Sequence, residues 1–304
     1  VGLGETLVGD TAYLVRLRAQ LMIQGGTPER AILYLHEHLL AHPESPWLHY
    51  HAGRAAQAKG LEDEARARFA HAATLAPNEA TFRFALGYTL RHGGLLEMAA
   101  REYRQALRVA PNEARILFNL GIVERERGEL GAAQRCFEQV CTRWTRDARA
   151  HYTLGVCAFE RRAFERARSA LNRALRLDRN HHKALYQLAL VDLEEDDFPA
   201  ARVRLRKALV LQPTYAPGHY ALGRSLVASD PPVARKHLEE AVLGHPPVLR
   251  AHLDLARLHE SAGRLKRARA DYQLYQRHFP NKREALIATR LSRIEQQLAD
   301  RHRA

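Results

Sequence analysis

The chain has 304 residues, 46% of them hydrophobic but only 7% aromatic, a balance that supplies a long core packed by alanine and leucine and argues against disorder. Its 47 lysines and arginines outnumber 34 aspartates and glutamates for a formal charge of +13, and only six of the bases are lysine. Cys136, Cys141 and Cys157 have no metal-ligand spacing, no apolar run is long enough to cross a bilayer, and no charged-apolar-small segment opens the chain, which argues against a disulfide framework, a membrane span and a signal peptide. A cytoplasmic protein is expected, although the chain begins at Val1 rather than Met, which leaves a removed leader or a flanking domain open. The positive charge fits either an acidic partner (a protein segment, nucleic acid or an anionic membrane) or an arginine-biased solvated exterior, and the second is the default because charge alone speaks to association and not to fold.

In chain order, residues 1–11 carry three glycines and no helical stripe, and read as a loose lead-in. An internal period of thirty-four residues then takes over, which replaces the two-domain expectation for this length with one elongated array. Each period holds two amphipathic stripes around a turn, and most end at a proline that stops the second helix. The units are 12–45 (Gly26 at the turn, Ala31, Leu35, Pro43), 46–79 (Gly53, Gly60, Ala65, Phe69, Ala72, Pro77) and 80–113 (Leu86-Gly87, Gly93-Gly94, Ala99, Tyr103, Ala106, Pro111). There follow 114–147 (Leu120-Gly121, Gly128, Ala133, Phe137) and 148–181 (Leu154-Gly155, Ala167, Leu171, Ala174), both without the closing proline. In 182–215 (Leu188-Ala189, Ala201, Leu205, Ala208, Pro213) the turn is crowded by Asp192, Glu194, Glu195, Asp196 and Asp197, and Asp197 before Pro199 is placed to cap the next helix. Unit 216–248 is one residue short around Ser229–Pro232, and 249–282 (Leu255-Ala256, Gly263, Ala268, Tyr272, Pro280) is the eighth. A closing helix, 283 to about 300 in a segment ending at 304, sets Leu286, Ile287, Leu291, Ile294 and Leu298 toward the last hairpin.

The spacing Leu86-Gly87, Ala99, Tyr103, Ala106, Pro111 resembles the tetratricopeptide repeat, and the resemblance covers about nine-tenths of the chain. It implies an all-α, right-handed α-solenoid, or superhelix, of eight helix-turn-helix repeats plus a C-terminal capping helix. It also implies a concave groove lined by positions two, five, nine, twelve and thirteen of each unit. Position five reads Arg16, Tyr50, Phe84, Phe118, Tyr152, Tyr186, Tyr220, Leu253, six consecutive aromatics. Position two gives Arg115, Arg149 and Lys183, position nine Arg54, Tyr88, Ile122, Val156, Leu190 and Arg224, and position thirteen Glu126, Glu160 and Glu194. These are the expected partner-binding residues, with position five not needed for hairpin packing.

The carboxylate clamp known in the family wants Lys at position five and Asn at position nine, and neither occurs. An asparagine ladder at position six like that of the GlcNAc-transferase superhelix is also missing, since the row reads Leu17, His51, Ala85, Asn119, Thr153, Gln187, Ala221, Asp254.

No phosphate loop, dinucleotide fingerprint, nucleophile elbow or His-Glu-x-x-His occurs, so no catalytic constellation and no cofactor is expected. Of the seventeen histidines, His38 and His42 with His36 nearby, and the pair His181-His182, are the best metal candidates, and core or surface roles suit them better. The expectation is a non-enzymatic scaffold that binds a protein or peptide segment in the groove, with the segment's acidic groups toward the basic row. The alternatives are the targeting arm of a larger glycosyl- or sulfotransferase-type enzyme, or an anionic-polymer binder through the basic stretch Arg161–Lys183 with Arg202, Arg204, Arg206 and Lys207. Nucleic acid is the less favoured partner.

Overall fold

The structure is a computed structural model that describes the backbone of residues 2–280 and 284–303 and the side chains of 13–280 and 285–300. Among the described residues there are seventeen α-helices and no strand. They form antiparallel A–B pairs: α1 (Gly2–Gln24) with α2 (Pro28–Ala41), α3 (Pro46–Lys59) with α4 (Glu62–Leu75), α5 (Ala80–His92) with α6 (Leu96–Val109), α7 (Ala114–Glu126) with α8 (Leu130–Arg143), α9 (Ala148–Glu160) with α10 (Phe164–Leu177), α11 (His182–Glu194) with α12 (Phe198–Leu211), α13 (Ala216–Leu226) with α14 (Pro231–Leu243), and α15 (Ala251–Ser261) with α16 (Leu265–His278), before α17 (Glu284–Arg303). Two compact units divide the chain, residues 1–150 and 151–304.

Each hairpin closes because the eighth residue of its A helix is small. In the first unit a Cβ on Gly53, Gly87 or Gly121 would stand 2.8, 2.9 or 2.7 Å from the rings of Phe69, Tyr103 and Phe137. Those rings are fully buried, so the missing side chain is what lets helix A lie on them. Gly155 against Leu171 and Gly223 against Leu238 repeat the arrangement in the second unit. Seven of the eight turns between helices A and B hold one left-handed residue. Glycine supplies it in five hairpins, but Arg162 (φ 59°) and Asp196 (φ 61°) occupy the same register in the fifth and sixth.

In the first unit Leu35 and Leu39 pack on Leu48 and Ala55, Phe82 on Ala72 and Ala73, and Tyr103 on Leu86 and Leu120. In the second unit Leu171 packs on Leu188, Leu205 on Leu222, and Leu238 on Leu255. Helix α17 lays Ile287 and Ile294, both buried, with half-buried Leu291 and Leu298 against Tyr272 and Tyr275. Leu286 is 47% exposed and not part of that stripe, since it stands one residue, about 100° of helix, from Ile287.

Polar bonds join successive hairpins as well. The fourth residue of an A helix reaches back to the proline carbonyl that ended the previous B helix: His49 Nε2 to Pro43 at 2.7 Å, Arg83 Nε to Pro77 at 3.2 Å, and His219 Nε2 to Pro213 at 2.8 Å. These carbonyls have no intrahelical donor, so a side chain satisfies them.

The loose lead-in expected over 1–11 is instead helical from Gly2 onward. Glycine costs a helix only about 1 kcal/mol per residue, and a segment anchored by buried Val15 and Ala19 on α2 and α3 continues the ladder through it.

Candidate functional site

The aromatic row is half-buried, not free-standing. In the first unit Tyr50 packs on Phe69 and Phe82, Phe84 on Tyr103, and Phe118 on Phe137, with ring centres 5.4–5.8 Å apart. In the second unit Tyr152, Tyr186 and Tyr220 each lie against a buried core cluster, and the Tyr186 ring meets Tyr215 edge-on at 5.3 Å. Position five therefore does contribute to hairpin packing, contrary to the sequence expectation. The ring is large enough to cover helix B and still present an edge.

The acidic row is not free for a partner's cations either. Glu126 accepts a bidentate pair of bonds from Arg91 at 2.8–3.1 Å, and Glu194 lies 3.3 Å from Arg162. Glu160, like Lys183, is exposed. In the basic row Arg115 lies over the Phe84 ring, and Arg149 binds Asp147 at 3.3 Å. The Tyr88 ring lies 4.4 Å from that of His92 at a tilt of 53°, Arg54 is half-buried beside His51, and Ile122 and Val156 are half-buried.

What the second unit brings together is an open cavity of about 670 Å³ that includes Tyr186, Leu190, Glu194, Tyr220 and Arg224 from the expected set. Phe159, Leu193, Phe198, Pro217, Val248 and Arg250 also line it. A second cavity of about 480 Å³ shares Tyr220, Arg224 and Arg250 and adds Asp254, Arg257, Tyr275 and Phe279. Tyr152, Val156, Glu160 and Lys183 line neither. Phe159 and Leu193 stand at position twelve, a groove position in the resemblance whose residues were not read out. Phe198, Tyr275 and Phe279 lie on or after B helices and carry no signal in the A-helix rows.

One end of this surface is apolar and the other is built of guanidinium groups. Arg224 and Arg250 lie 5.8 and 5.7 Å from the centre of the Tyr220 ring. Burial, with Asp254 behind it, raises the Tyr220 phenol above its ordinary pKa, and burial does the same at Tyr186, so both rings stay neutral. Asp254 holds Arg224 and Arg257 only loosely, at 3.8 and 3.9 Å. Arg250 has no carboxylate within 4 Å among the described residues. A site of this kind offers stacking faces and charge-assisted donors, with no nucleophile-base pair beside them.

The histidines weighed as metal ligands are otherwise engaged or exposed. His38 meets Tyr34 edge-on at 4.6 Å, His181 Nδ1 accepts from the Ala184 amide at 3.2 Å, and His182 packs on Tyr215, while His36 and His42 are exposed. Among the described residues no three His, Cys, Asp or Glu side chains are grouped to hold a metal ion. The three cysteines are free thiols, and burial pushes Cys141 up to about 11. Among those residues no helix is long and apolar enough to cross a membrane.

The basic stretch is partly spent internally. Asp192, fully buried, accepts from both Arg168 (2.8 Å) and Arg204, and Arg168 also reaches Glu195, while Arg202 bonds the Ser225 carbonyl. Asp197 caps α12 through the Ala200 amide at 3.0 Å, as the sequence implied. Three of the crowded carboxylates, Asp192, Glu194 and Glu195, thus pair with arginines of the fifth and sixth hairpins. Arg166, Arg173, Arg176, Arg206 and Lys207 remain exposed.

Hairpins of repeated register, stacked on their neighbours within each unit and carrying aromatic and arginine side chains on their A helices, define an α-helical repeat protein. The tetratricopeptide-repeat profile matches residues 96–133, 118–182 and 220–282, and the chain belongs to that family. Solved structures share the fold. A chain of the structure described as the APC/C hetero-tetramer Cut9–Hcn1 superposes with a TM-score of 0.61 at 20% identity, over 80% of this chain and 48% of that one. YrrB, described as a TPR protein with an unusual peptide-binding site, gives 0.54 at 18%, over 62% and 96%. The C-terminal part of a TPR repeat-containing protein from Cytophaga hutchinsonii gives 0.56 at 17%, over 89% and 98%. A comparison with curated proteins returns no match.

Proposed function

We propose that the chain is a non-enzymatic interaction scaffold that holds a segment of a partner protein on the surface formed by α9, α11, α13 and α15. The observation that carries this reading is the pair of cavities joined through Tyr220, Arg224 and Arg250. A bound segment sets apolar side chains against Phe159, Leu193 and Phe198, and a carboxylate against Arg250 and Arg257. Rigid rings give contact area at small entropic cost, and the guanidinium groups fix direction and favour acidic segments. The acidic side chain goes to Arg250 because Asp254 already serves its neighbours.

The test is a display library of random dodecapeptides selected on the full chain. Enriched peptides are then titrated against wild type, Arg250→Glu, Arg257→Glu and the α12 variant Arg206→Glu. The two groove variants should weaken binding about ten-fold or more, roughly 1.4 kcal/mol, and Arg206→Glu should not. Enriched sequences without acidic and apolar side chains, or equal affinities for all four proteins, would remove this surface as the site.

A further inference from the structure

The cavity of about 480 Å³ in the second unit carries more positive charge than one carboxylate of a ligand can answer. Arg224, Arg250 and Arg257 line it against the single carboxylate of Asp254, which leaves two positive charges uncompensated. Asp254 does not close on its neighbours: it stays 3.8 Å from Arg224 and 3.9 Å from Arg257, where Arg290–Glu260 and Arg168–Asp192 of the same unit meet at 2.6 and 2.8 Å. Glu194, the other carboxylate of the joined surface, is paired with Arg162 at 3.3 Å. The remaining lining of this cavity is aromatic: Tyr220, and Tyr275 with Phe279, whose ring centres stand 4.9 Å apart.

We infer that the anionic group taken at this cavity is the phosphate monoester of a phosphotyrosine in the partner segment; this rests on the scaffold reading above and names the group its arginines select. At neutral pH such an ester carries about 1.5 to 2 negative charges and three acceptor oxygens, against one charge and two oxygens for a carboxylate. Three guanidinium forks facing one aspartate match the ester in charge and in number of acceptors, and the planar fork pairs with phosphate through two parallel bonds. The rings decide where the phosphate comes from. A phosphoserine would bring its ester to the arginines and leave Tyr220, Tyr275 and Phe279 uncovered, whereas a phosphotyrosine ring packs on them while its ester reaches the guanidinium groups. Arg224 and Arg250 already lie 5.8 and 5.7 Å from the centre of the Tyr220 ring, so less ordering of these side chains is left for the ligand to impose.

Calorimetric titration of the full chain with N-acetyl-O-phosphotyrosine amide decides it, beside the N-acetyl amides of phosphoserine, tyrosine and glutamate and inorganic phosphate. The phosphotyrosine amide should bind at least about ten-fold more tightly than any of the other four. Arg250→Gln and Arg257→Gln should each weaken it about ten-fold, and Arg206→Gln on α12 should leave it unchanged. A phosphoserine amide or inorganic phosphate that binds as well would take the ring out of the site, and a glutamate amide that binds as well would take out the second charge; either overturns the inference. Acidic library peptides that bind through Arg250, beside a phosphotyrosine amide that does not, would sink the phosphate and leave the scaffold reading standing. Binding that depends on Arg250 in neither case would sink both.

Discussion

The guanidinium of Arg115 lies 4.5 Å from the centre of the Phe84 ring, which sets position two of the fourth hairpin on position five of the third. In the second unit Arg250 stands in the same relation to Tyr220, at 5.7 Å. At the start of the array the chemistry is exchanged, with Arg16 at position five and Trp47 at position two. At these two junctions the base at position two of one hairpin covers the ring at position five of the hairpin before it. These contacts act as inter-repeat ties in addition to whatever they offer a ligand. A double-mutant cycle on Arg115→Ala and Phe84→Leu should give a coupling of about 0.5–1 kcal/mol in urea unfolding. Additive single effects would leave the contact without energetic content.

Acid should weaken the fold through its buried histidines. Burial, with the charges of Arg54 and Arg16 adding to it, lowers His51 to about 4, and burial also lowers His49, His181, His182, His237 and His259. Above the ordinary pKa of about 6.5 these rings are neutral in both states, and stability is full. As pH falls below that value the unfolded chain takes up protons that the folded chain refuses, so stability drops until the folded value is reached. His51 alone, only 6% exposed, should account for roughly 2–3 kcal/mol between about pH 6.5 and 4. The check is the pH slope of the urea midpoint, which His51→Gln should flatten across that window.

The sequence made the hairpins legible because their determinants are local and periodic: a small residue where helix A crosses a buried ring, a glycine or aspartate at the turn, and a proline at the end. Even the back-bonds to Pro43, Pro77 and Pro213 come from one register, position four, as His49, Arg83 and His219. The candidate site was legible only in part. Position five gives the aromatics, but their half-burial against helix B depends on ring size and tilt, which spacing does not encode. The pairing of Glu126 with Arg91 and of Glu194 with Arg162 joins successive hairpins and shows in neither row taken alone. Phe198, Tyr275 and Phe279 reach the second unit's cavities from outside the A-helix rows.

At the fifth turn an arginine holds a conformation that suits glycine. Arg162 has φ 59°, where Gly60 and Gly128 have 80° and 83° in the same register. A left-handed non-glycine residue costs roughly 1–2 kcal/mol, and the Arg162–Glu194 pair, 73% and 41% exposed, returns little of that. Arg162→Gly should therefore raise stability by about 0.5–1 kcal/mol in thermal or urea unfolding. A loss of stability would mean that the ion pair and the contact with the Phe164 ring outweigh the backbone term.

Asp192 is the most exacting single residue outside the hydrophobic core. Its carboxylate is fully buried between Arg168 of α10 and Arg204 of α12, and it also receives the turn of its own hairpin, since the Asp197 amide bonds its backbone carbonyl at 2.8 Å. Removing one member of a buried charged group leaves the others without compensation, at about 3–5 kcal/mol. Here each arginine is about a quarter exposed and can turn to water, so the lower part of that range applies. Asp192→Ala should cost about 3 kcal/mol, and Asp192→Asn less, because the amide keeps one acceptor for Arg168. Restoring neutrality from the other side separates charge from packing: Arg168→Met and Arg204→Met together with Asp192→Leu should recover most of the loss. Urea unfolding of the single and triple variants, followed by helical circular dichroism, measures both. A triple variant no more stable than Asp192→Ala would place the cost in packing around α11 and not in the stranded charges.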